Sequence, residues 1–180
     1  APPIDAPPPL VCDPLAPAGM QGCGANEKCT WIRVQTTPTV VGKLGCVPDG
    51  PVAAAGACTR GMDGEATGFD NCAAGNVCVG ISATTGMGTC QDLCGFDGSA
   101  QAMCEANYAC TRYRNLFANG TEDPIAGACN ATCNPITQTL DANGQACPTG
   151  QGCYTLTSQT NTVAALRRVL GAHALAFPQP

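Results

Sequence analysis

The stretch Cys23-Gly-Ala-Asn-Glu-Lys-Cys29 recurs with the same spacing three more times along the chain. The other copies are Cys72-Ala-Ala-Gly-Asn-Val-Cys78, Cys104-Glu-Ala-Asn-Tyr-Ala-Cys110 and Cys147-Pro-Thr-Gly-Gln-Gly-Cys153. The third residue after the first cysteine is always Asn or Gly, namely Asn26, Gly75, Asn107 and Gly150. These residue types adopt a positive φ more readily than others, so each copy is predicted to turn through a left-handed residue. The recurring spacing and turn residue indicate an internal repeat.

Each copy lies in a longer segment of four cysteines, and the last segment lacks its fourth cysteine. We divide the chain into arm 1–11, module 1 (12–46), an Ala/Pro/Gly linker (47–57), module 2 (58–90), module 3 (94–129), module 4 (133–162) and tail 163–180. The three-residue connectors between modules 2, 3 and 4 predict a rigid rod. The linker between modules 1 and 2 leaves room for a bend or for a longer interface.

With 15 Cys in 180 residues, the chain has the cysteine content of a disulfide scaffold. Four cysteines allow three connectivities, so the sequence leaves the pairing open. A crossed pattern, first with third and second with fourth, leaves Cys147 unpaired, whereas pairing the neighbours in each copy leaves Cys133. We favour the crossed pattern, with Cys147 as a free or intermolecular thiol. The disulfide cysteines are then Cys12, Cys23, Cys29, Cys46, Cys58, Cys72, Cys78, Cys90, Cys94, Cys104, Cys110, Cys129, Cys133 and Cys153.

The composition argues against one conventional core, because Leu, Ile, Val and Phe supply only 29 of the 180 residues. Short β-prone runs such as 30–34 and 154–157 follow the third cysteine of the modules, and turn-rich segments come next. The predicted fold is therefore small, disulfide-rich and mainly β. It is expected to be a tandem array of four short β-hairpin modules forming a rod, in which disulfides supply the stability that an isolated hairpin lacks.

The cysteine content also predicts an oxidising compartment, which means an extracellular or cell-surface protein. The chain starts with Ala1 and has no basic or apolar leader, so we expect that a signal peptide has been removed. Eight basic residues against thirteen acidic ones give a net charge of −5, which argues against nucleic acid as a partner. No membrane span is predicted, because the longest apolar candidate, 163–177, is interrupted by Arg167 and Arg168.

The two ends of the chain do not fit the repeat. Seven of the first 17 residues are Pro, which favours an extended polyproline II arm. In the tail, Leu166, Leu170 and Phe177 fit one face of a short amphipathic helix, and a returning strand through 162–166 is the alternative.

Each end has two interpretations. The arm is either a flexible tether or a segment that docks on a neighbouring subunit. The tail either caps module 4 or docks on the next subunit. The candidate subunit-contact residues are Ile4, Leu10, Val11, Leu166, Leu170 and Phe177.

Residues that support catalysis are scarce. The chain has one His, His173, and three Ser, at 82, 99 and 158, so a Ser-His-Asp arrangement is not expected. No two cysteines have the Cys-x2-Cys spacing of a zinc site. Asp63-Gly-Glu65 with Asp70-Asn71, or Asp97-Gly-Ser99, could hold an incidental calcium ion, but solvated turns are the preferred interpretation. We therefore expect no enzyme activity, metal or cofactor.

Glycans are possible on a chain that is rich in Thr and poor in Lys. Asn119-Gly-Thr121 and Asn130-Ala-Thr132 satisfy the N-glycosylation sequon. Thr36, Thr37 and Thr39 form a Pro-containing cluster that is typical of O-glycosylated segments. The alternative is that these are ordinary turn residues.

Cys12-Asp-Pro-Leu, followed by Cys-x5-Cys and a Gly-containing return to the fourth Cys, with Cys-x3-Cys joints between modules, resembles the tandem Cys-rich repeats of proteins that bacteria secrete or display at the surface. The spacing is also similar to the first four cysteines of EGF-like modules. The resemblance covers residues 12–157 and implies location and disulfide architecture. The fifth and sixth cysteines of EGF-like modules are absent, so their calcium and receptor-binding roles do not carry over.

These observations favour a non-enzymatic structural subunit of an extracellular fibre, appendage or matrix. A head-to-tail contact between two unlike ends propagates without closing, which makes a homopolymer the expected partner state. The alternative is a monomeric secreted binding or adhesion module, or a protease inhibitor, that presents loops such as 115–125 from a disulfide scaffold.

Overall fold

The computed structural model describes residues 12–96, 103–113, 116–117, 125–147, 151–157 and 162–168. These described residues form eleven β-strands and no helix. The strands are β1 (Glu27–Gln35), β2 (Val41–Pro48), β3 (Ala57–Thr59), β4 (Asn76–Val79), β5 (Met87–Gly95), β6 (Tyr108–Thr111), β7 (Ala126–Ala131), β8 (Cys133–Asn134), β9 (Thr139–Leu140), β10 (Gln151–Thr157) and β11 (Thr162–Arg168). The prediction of a disulfide-rich, mainly β fold is confirmed.

The left-handed turn predicted inside each repeat is present in modules 1 to 3. Asn26, Gly75 and Asn107 have φ values of 62°, 82° and 66°. Each turn leads directly into the strand that carries the third cysteine of its module, which is β1, β4 or β6. Gly150, the equivalent residue of module 4, lies outside the described residues.

Antiparallel hairpins follow these turns and set the cysteines opposite each other. In the β1–β2 pair Cys29 faces Cys46, and in the β4–β5 pair Cys78 faces Cys90. Strand β6 lies beside β7 in a five-stranded sheet of order β3-β5-β7-β6, with β4 also paired to β5. A further short pair, β8–β9, lies in module 4.

The tail interpretation as an amphipathic helix is wrong for residues 162–168, which form β11 and pair with β10. The returning strand is the correct alternative, because the backbone groups of 162–168 find a complete antiparallel partner in β10. The hairpin of module 4 therefore extends past 162, the limit we set for that module. Cys153 faces Leu166, so Leu166 occupies the register position that the fourth cysteine holds in modules 1 and 2.

All fifteen cysteines lie in the described part of the chain, and fourteen of them form seven disulfides. The pairing is crossed within each module. The first cysteine joins the third in Cys12–Cys29, Cys58–Cys78, Cys94–Cys110 and Cys133–Cys153. The second joins the fourth in Cys23–Cys46, Cys72–Cys90 and Cys104–Cys129. Cys147 is free and half-buried.

Modules 2 and 3 share a sheet. The connector 91–93 lies inside β5, whose residues pair with β3, with β4 and, from Leu93 to Gly95, with β7. The linker 47–57 is hydrogen-bonded to β5 of module 2. Ala55 N–H donates to the Cys90 carbonyl at 2.8 Å and Cys90 N–H donates to the Gly56 carbonyl at 2.9 Å.

The composition argued against one conventional core, and the described residues contain a small apolar cluster that is shared between modules. Trp31 of module 1, Val77 and Val79 of module 2, and Phe117 of module 3 pack in one buried apolar cluster. The other buried members are Leu93, Leu116, Ala126 and Ala128. Burial of such side chains contributes about 1.5–3 kcal/mol each, so a few large residues placed at the junctions compensate for the low apolar content.

A buried ion pair joins modules 1 and 2. The Lys28 ammonium donates to Asp70 Oδ1 at 2.8 Å, to the Asp70 carbonyl at 3.1 Å and to the Cys72 carbonyl. The Asp70 carboxylate also accepts from the N–H groups of Cys72 at 3.1 Å and Cys78 at 2.9 Å. Both side chains are almost fully buried, and their polar atoms are hydrogen-bonded to each other and to the backbone. This pair links β1 of module 1 to the segment that precedes β4 in module 2.

Strand β1 also contacts the loop 60–70 of module 2 through its backbone. Arg33 N–H donates to the Gly68 carbonyl at 2.8 Å, and Gly64 N–H donates to the Arg33 carbonyl at 3.0 Å. A Cβ on Gly68 would lie 1.7 Å from the Arg33 carbonyl oxygen, so only glycine fits there.

The chain divides into two compact units. The first contains modules 1 and 2 and most of module 3, and the second contains module 4 with Glu105–Ala109 and residues 130–132.

Candidate functional site

The β8–β9 turn of module 4 presents one apolar side chain to solvent. Asn134 Oδ1 accepts from the N–H groups of Ile136 at 2.9 Å and Thr137 at 3.2 Å. Gln138 N–H donates to the Asn134 carbonyl at 2.9 Å, which closes the turn. Ile136 lies at its apex and is 90% exposed. We call residues 134–139 the Ile136 loop.

The side chain of Gln138 anchors this loop to the module disulfide. Its Oε1 accepts from Cys153 N–H at 2.9 Å, and its Nε2 donates to the Cys153 carbonyl at 3.2 Å and to the Pro135 carbonyl at 2.8 Å. Gln138 has a φ of 56°, a strained value for a non-glycine residue that these three hydrogen bonds hold. Because Cys153 is bonded to Cys133, the loop is braced at both ends.

The unpaired thiol belongs to the same structural element. Cys147 N–H donates to the Gln138 carbonyl at 2.9 Å, at the end of the Ile136 loop. Cys147 is the second cysteine of module 4, and it has no fourth cysteine to pair with because Leu166 occupies the position opposite Cys153. An exposed aliphatic side chain on a rigid loop and a free thiol in the adjoining segment can support contact with another protein and a covalent bond to it. We call the Ile136 loop and Cys147 together the module 4 contact site.

A loop side chain also caps the third cysteine in modules 1 and 2. The Gln21 side chain accepts from Cys29 N–H at 2.8 Å, as Asp70 does from Cys78 N–H. Both caps lie two residues before the second cysteine. In module 4 the equivalent position is Gln145, but the hydrogen bond to Cys153 N–H is accepted by Gln138 of the Ile136 loop. Gln21 and Gln138 were not predicted as functional residues, and Asp70 was predicted only as a possible calcium ligand. Alignment of the modules on their second cysteine places Gln21 and Asp70 at the same position and would have indicated their shared role.

Most of the other sequence candidates lie in parts of the chain that the structure does not describe. Ile4, Leu10, Val11, Leu170 and Phe177 lie outside the described residues, as do Asn119, His173 and the loop around 118–124. Leu166 lies in β11, the strand of the tail that pairs with β10 of module 4.

The glycosylation candidates have different outcomes. Thr36, Thr37 and Thr39 are exposed. Thr36 nevertheless donates its hydroxyl to Asp63 Oδ2 at 2.7 Å. Asn130 lies in β7 and is 7% exposed in the folded chain, so its sequon is mostly buried in the described fold.

The carboxylates considered for calcium are engaged by other groups. Asp63 pairs with the Arg33 guanidinium as well as with Thr36, and Asp70 is held by Lys28. The Thr36 hydrogen bond and the Arg33 guanidinium lower the pKa of Asp63, against a smaller opposing effect of burial. Burial lowers the pKa of the nearby Arg60 guanidinium, while the Asp70 carboxylate opposes that shift. The Arg33–Asp63 and Lys28–Asp70 pairs of this charged group both link module 1 to module 2. Asp97-Gly-Ser99 lies outside the described residues.

Three groups of cysteine sulfurs lie close enough together to suggest metal ligands, one in each of modules 1 to 3. Every sulfur in these groups is part of a disulfide, so none offers a thiolate to a metal. In the part of the chain that the structure describes, no helix has the length and apolar character needed to cross a membrane.

Comparisons with known proteins give no relative from which a function could be transferred. A scan against protein-family models, a search of curated proteins and a search of solved structures each returned no match.

Proposed function

We propose that the protein is a non-enzymatic structural subunit of an extracellular fibre, appendage or matrix. In this proposal the four hairpin modules form a rod that joins the next copy head-to-tail through its terminal segments. The observation that carries the proposal is the module 4 contact site: Ile136 projects from a braced loop, and the adjoining Cys147 has no partner within the chain.

The exposure of Ile136 supports a contact with another protein, because an aliphatic side chain is solvated unfavourably and would be stabilised by burial in an interface. A residue held in place loses little conformational entropy on binding, and buried anchors of this kind dominate interface energies. Residues 134–140 have no charged side chain, so burial of this loop desolvates no ion.

The disulfides are compatible with an extracellular location, since such bonds persist in oxidising compartments. Cys147 is the candidate for a covalent link between subunits. Thr36, Thr37 and Thr39 remain candidates for glycans on the outer surface.

The second candidate function is a monomeric secreted binding module or protease inhibitor. The same braced loop favours it, because a rigid loop on a disulfide scaffold can insert one side chain into the pocket of a partner. The two functions differ in whether copies of the chain bind each other.

Negative-stain electron microscopy and light scattering on the native chain distinguish them. The samples are the wild type, a deletion of residues 1–11, Ile136→Thr, and the matched control Ile125→Thr, which changes an isoleucine that is 47% exposed in module 3. We expect filaments or large particles in the wild type and the control, and their loss in the deletion and in Ile136→Thr. Monomers in all four samples would contradict the assembly and leave the binding module.

A further inference from the structure

All four methionines of the chain lie in the described residues, and all four are exposed. Met62 is 84% exposed, Met20 75%, Met103 74% and Met87 38%. Methionine is one of the residue types most often buried in protein cores, so this distribution is unusual. The shared buried cluster consists instead of Trp, Val, Leu, Phe and Ala, and a second buried cluster consists of the four cysteines of module 2.

The backbone on or beside each methionine is held by the fold, so the exposure belongs to the native structure. Met20 N–H donates to the Pro17 carbonyl at 2.8 Å, and the Met62 carbonyl accepts from the Thr67 hydroxyl at 3.1 Å. Met87 begins β5 opposite Thr59, and Met103 directly precedes Cys104, which is bonded to Cys129.

We propose that the four methionines are oxidation-accepting surface sites whose reactant is a peroxide. A thioether sulfur attacks one oxygen of hydrogen peroxide, the O–O bond breaks, an S–O bond forms and water leaves. The sulfur is oxidised by two electrons and the peroxide is reduced to water, giving methionine sulfoxide. One chain consumes up to four peroxide molecules in this way.

The fold survives this chemistry because each new S–O dipole is formed in solvent. In a core the same dipole would be buried without a hydrogen-bond partner and would destabilise the protein. The disulfides are already oxidised and Trp31 is buried. The Cys147 thiol is a separate peroxide target, and peptide mapping distinguishes it from the four methionines. The protein thus remains folded in an oxidising compartment while its surface takes up oxidant.

The test is a peroxide time course on the folded full-length chain, followed residue by residue with peptide-mapping mass spectrometry. The same chain in guanidinium with its disulfides intact gives the reference rates. We expect Met20, Met62 and Met103 to react within about threefold of the unfolded reference and Met87 more slowly. The fully oxidised chain should keep its seven disulfides and its Trp31 emission. The control variant Leu93→Met places a methionine in the buried cluster, where oxidation should be about tenfold or more slower.

Protection of Met20, Met62 or Met103 by about tenfold or more would overturn the proposal, as would loss of the Trp31 environment in the chain with four sulfoxides. The readout is independent of the assembly assay, so failure of one proposal is not failure of the other.

Discussion

Modules 1 to 3 and module 4 are built from the same repeat but are stabilised differently. The first three modules have six disulfides, a shared buried cluster and the buried Lys28–Asp70 pair. Module 4 has one disulfide, a free thiol and a loop with an exposed isoleucine. The difference shows that one repeat can be closed in two ways: modules 1 to 3 each have two crossed disulfides, whereas module 4 has one, with Leu166 at the register position of the missing cysteine.

The two regions can be followed separately in one sample. The only Trp of the chain, Trp31, is buried in the shared cluster and reports on the first region. The thiol of Cys147 reports on module 4 by its reactivity. The substitutions that follow each change one of these two regions, and they are given in order of decreasing expected effect on stability.

Removal of the Asp70 carboxylate should have the largest effect. Asp70→Ala leaves the Lys28 ammonium buried without its counterion and removes the acceptor for Cys72 and Cys78 N–H, which costs about 3–5 kcal/mol. Guanidinium unfolding followed by Trp31 fluorescence measures the loss. The control Asp141→Ala removes an exposed carboxylate of module 4 and should leave the midpoint unchanged. A loss below about 1 kcal/mol in Asp70→Ala would mean that the pair does not hold modules 1 and 2 together.

Leu166→Cys should convert module 4 to the disulfide pattern of the other modules. Residue 166 faces Cys153 as Cys46 faces Cys29, and a 147–166 bond would have a separation similar to the 18 of Cys72–Cys90. We expect loss of the free thiol and about 2–4 kcal/mol of added stability for the module. Intact mass, thiol titration and hydrogen exchange of β10 and β11 measure these changes.

The control for that variant is Ala165→Cys. Adjacent strand residues face opposite sides of a sheet, so this cysteine should not reach Cys147 and two thiols should titrate. Two remaining thiols in Leu166→Cys would show that module 4 does not follow the register of the repeat.

Acid should weaken the contact between modules 1 and 2 through Asp63. The pKa of Asp63 is lower in the folded than in the unfolded protein, so its ionised form stabilises the fold above the unfolded value of about 3.9. This stabilisation is lost as the pH falls through the folded pKa. Asp63→Asn should be less stable than wild type at pH 7, with the difference vanishing in acid. Glu65→Gln, at the more exposed pair with Lys43, serves as control, and a difference that persists in acid would exclude Asp63 as its source.

The smallest effect concerns the left-handed turn. Gly75→Asn should change the stability by less than about 0.5 kcal/mol, because modules 1 and 3 have Asn at this position and nothing lies within 4 Å of the added Cβ. Gly75→Val should cost about 1–2 kcal/mol, since a β-branched residue does not tolerate a positive φ. The same two substitutions at Gly150, read by Cys147 reactivity, test whether module 4 uses this turn. Equal tolerance of Val and Asn at Gly150 would mean that it does not.

Several features could be predicted from particular residues. The Asn and Gly positions in the repeat indicated the turns, the β-prone runs indicated the hairpin strands, and the spacing of the cysteines restricted the pairing to a few alternatives. The Ile136 loop could not be predicted, because Asn134-Pro-Ile-Thr has the composition of any turn and its bracing depends on Gln138, whose partner Cys153 is 15 residues away.

The sequence by itself determined the repeat, the left-handed turns of modules 1 to 3 and the excess of one thiol, because these depend on spacing and on the local preferences of Asn, Gly and Cys. Only the tertiary structure decided that Lys28 pairs with Asp70, 42 residues away, that Trp31 packs with Phe117, and that Leu166 takes the place of a cysteine. These outcomes depend on burial and strand register between distant segments. The free energy of a buried charge or ring is set by which groups surround it in space, and local spacing does not contain that information.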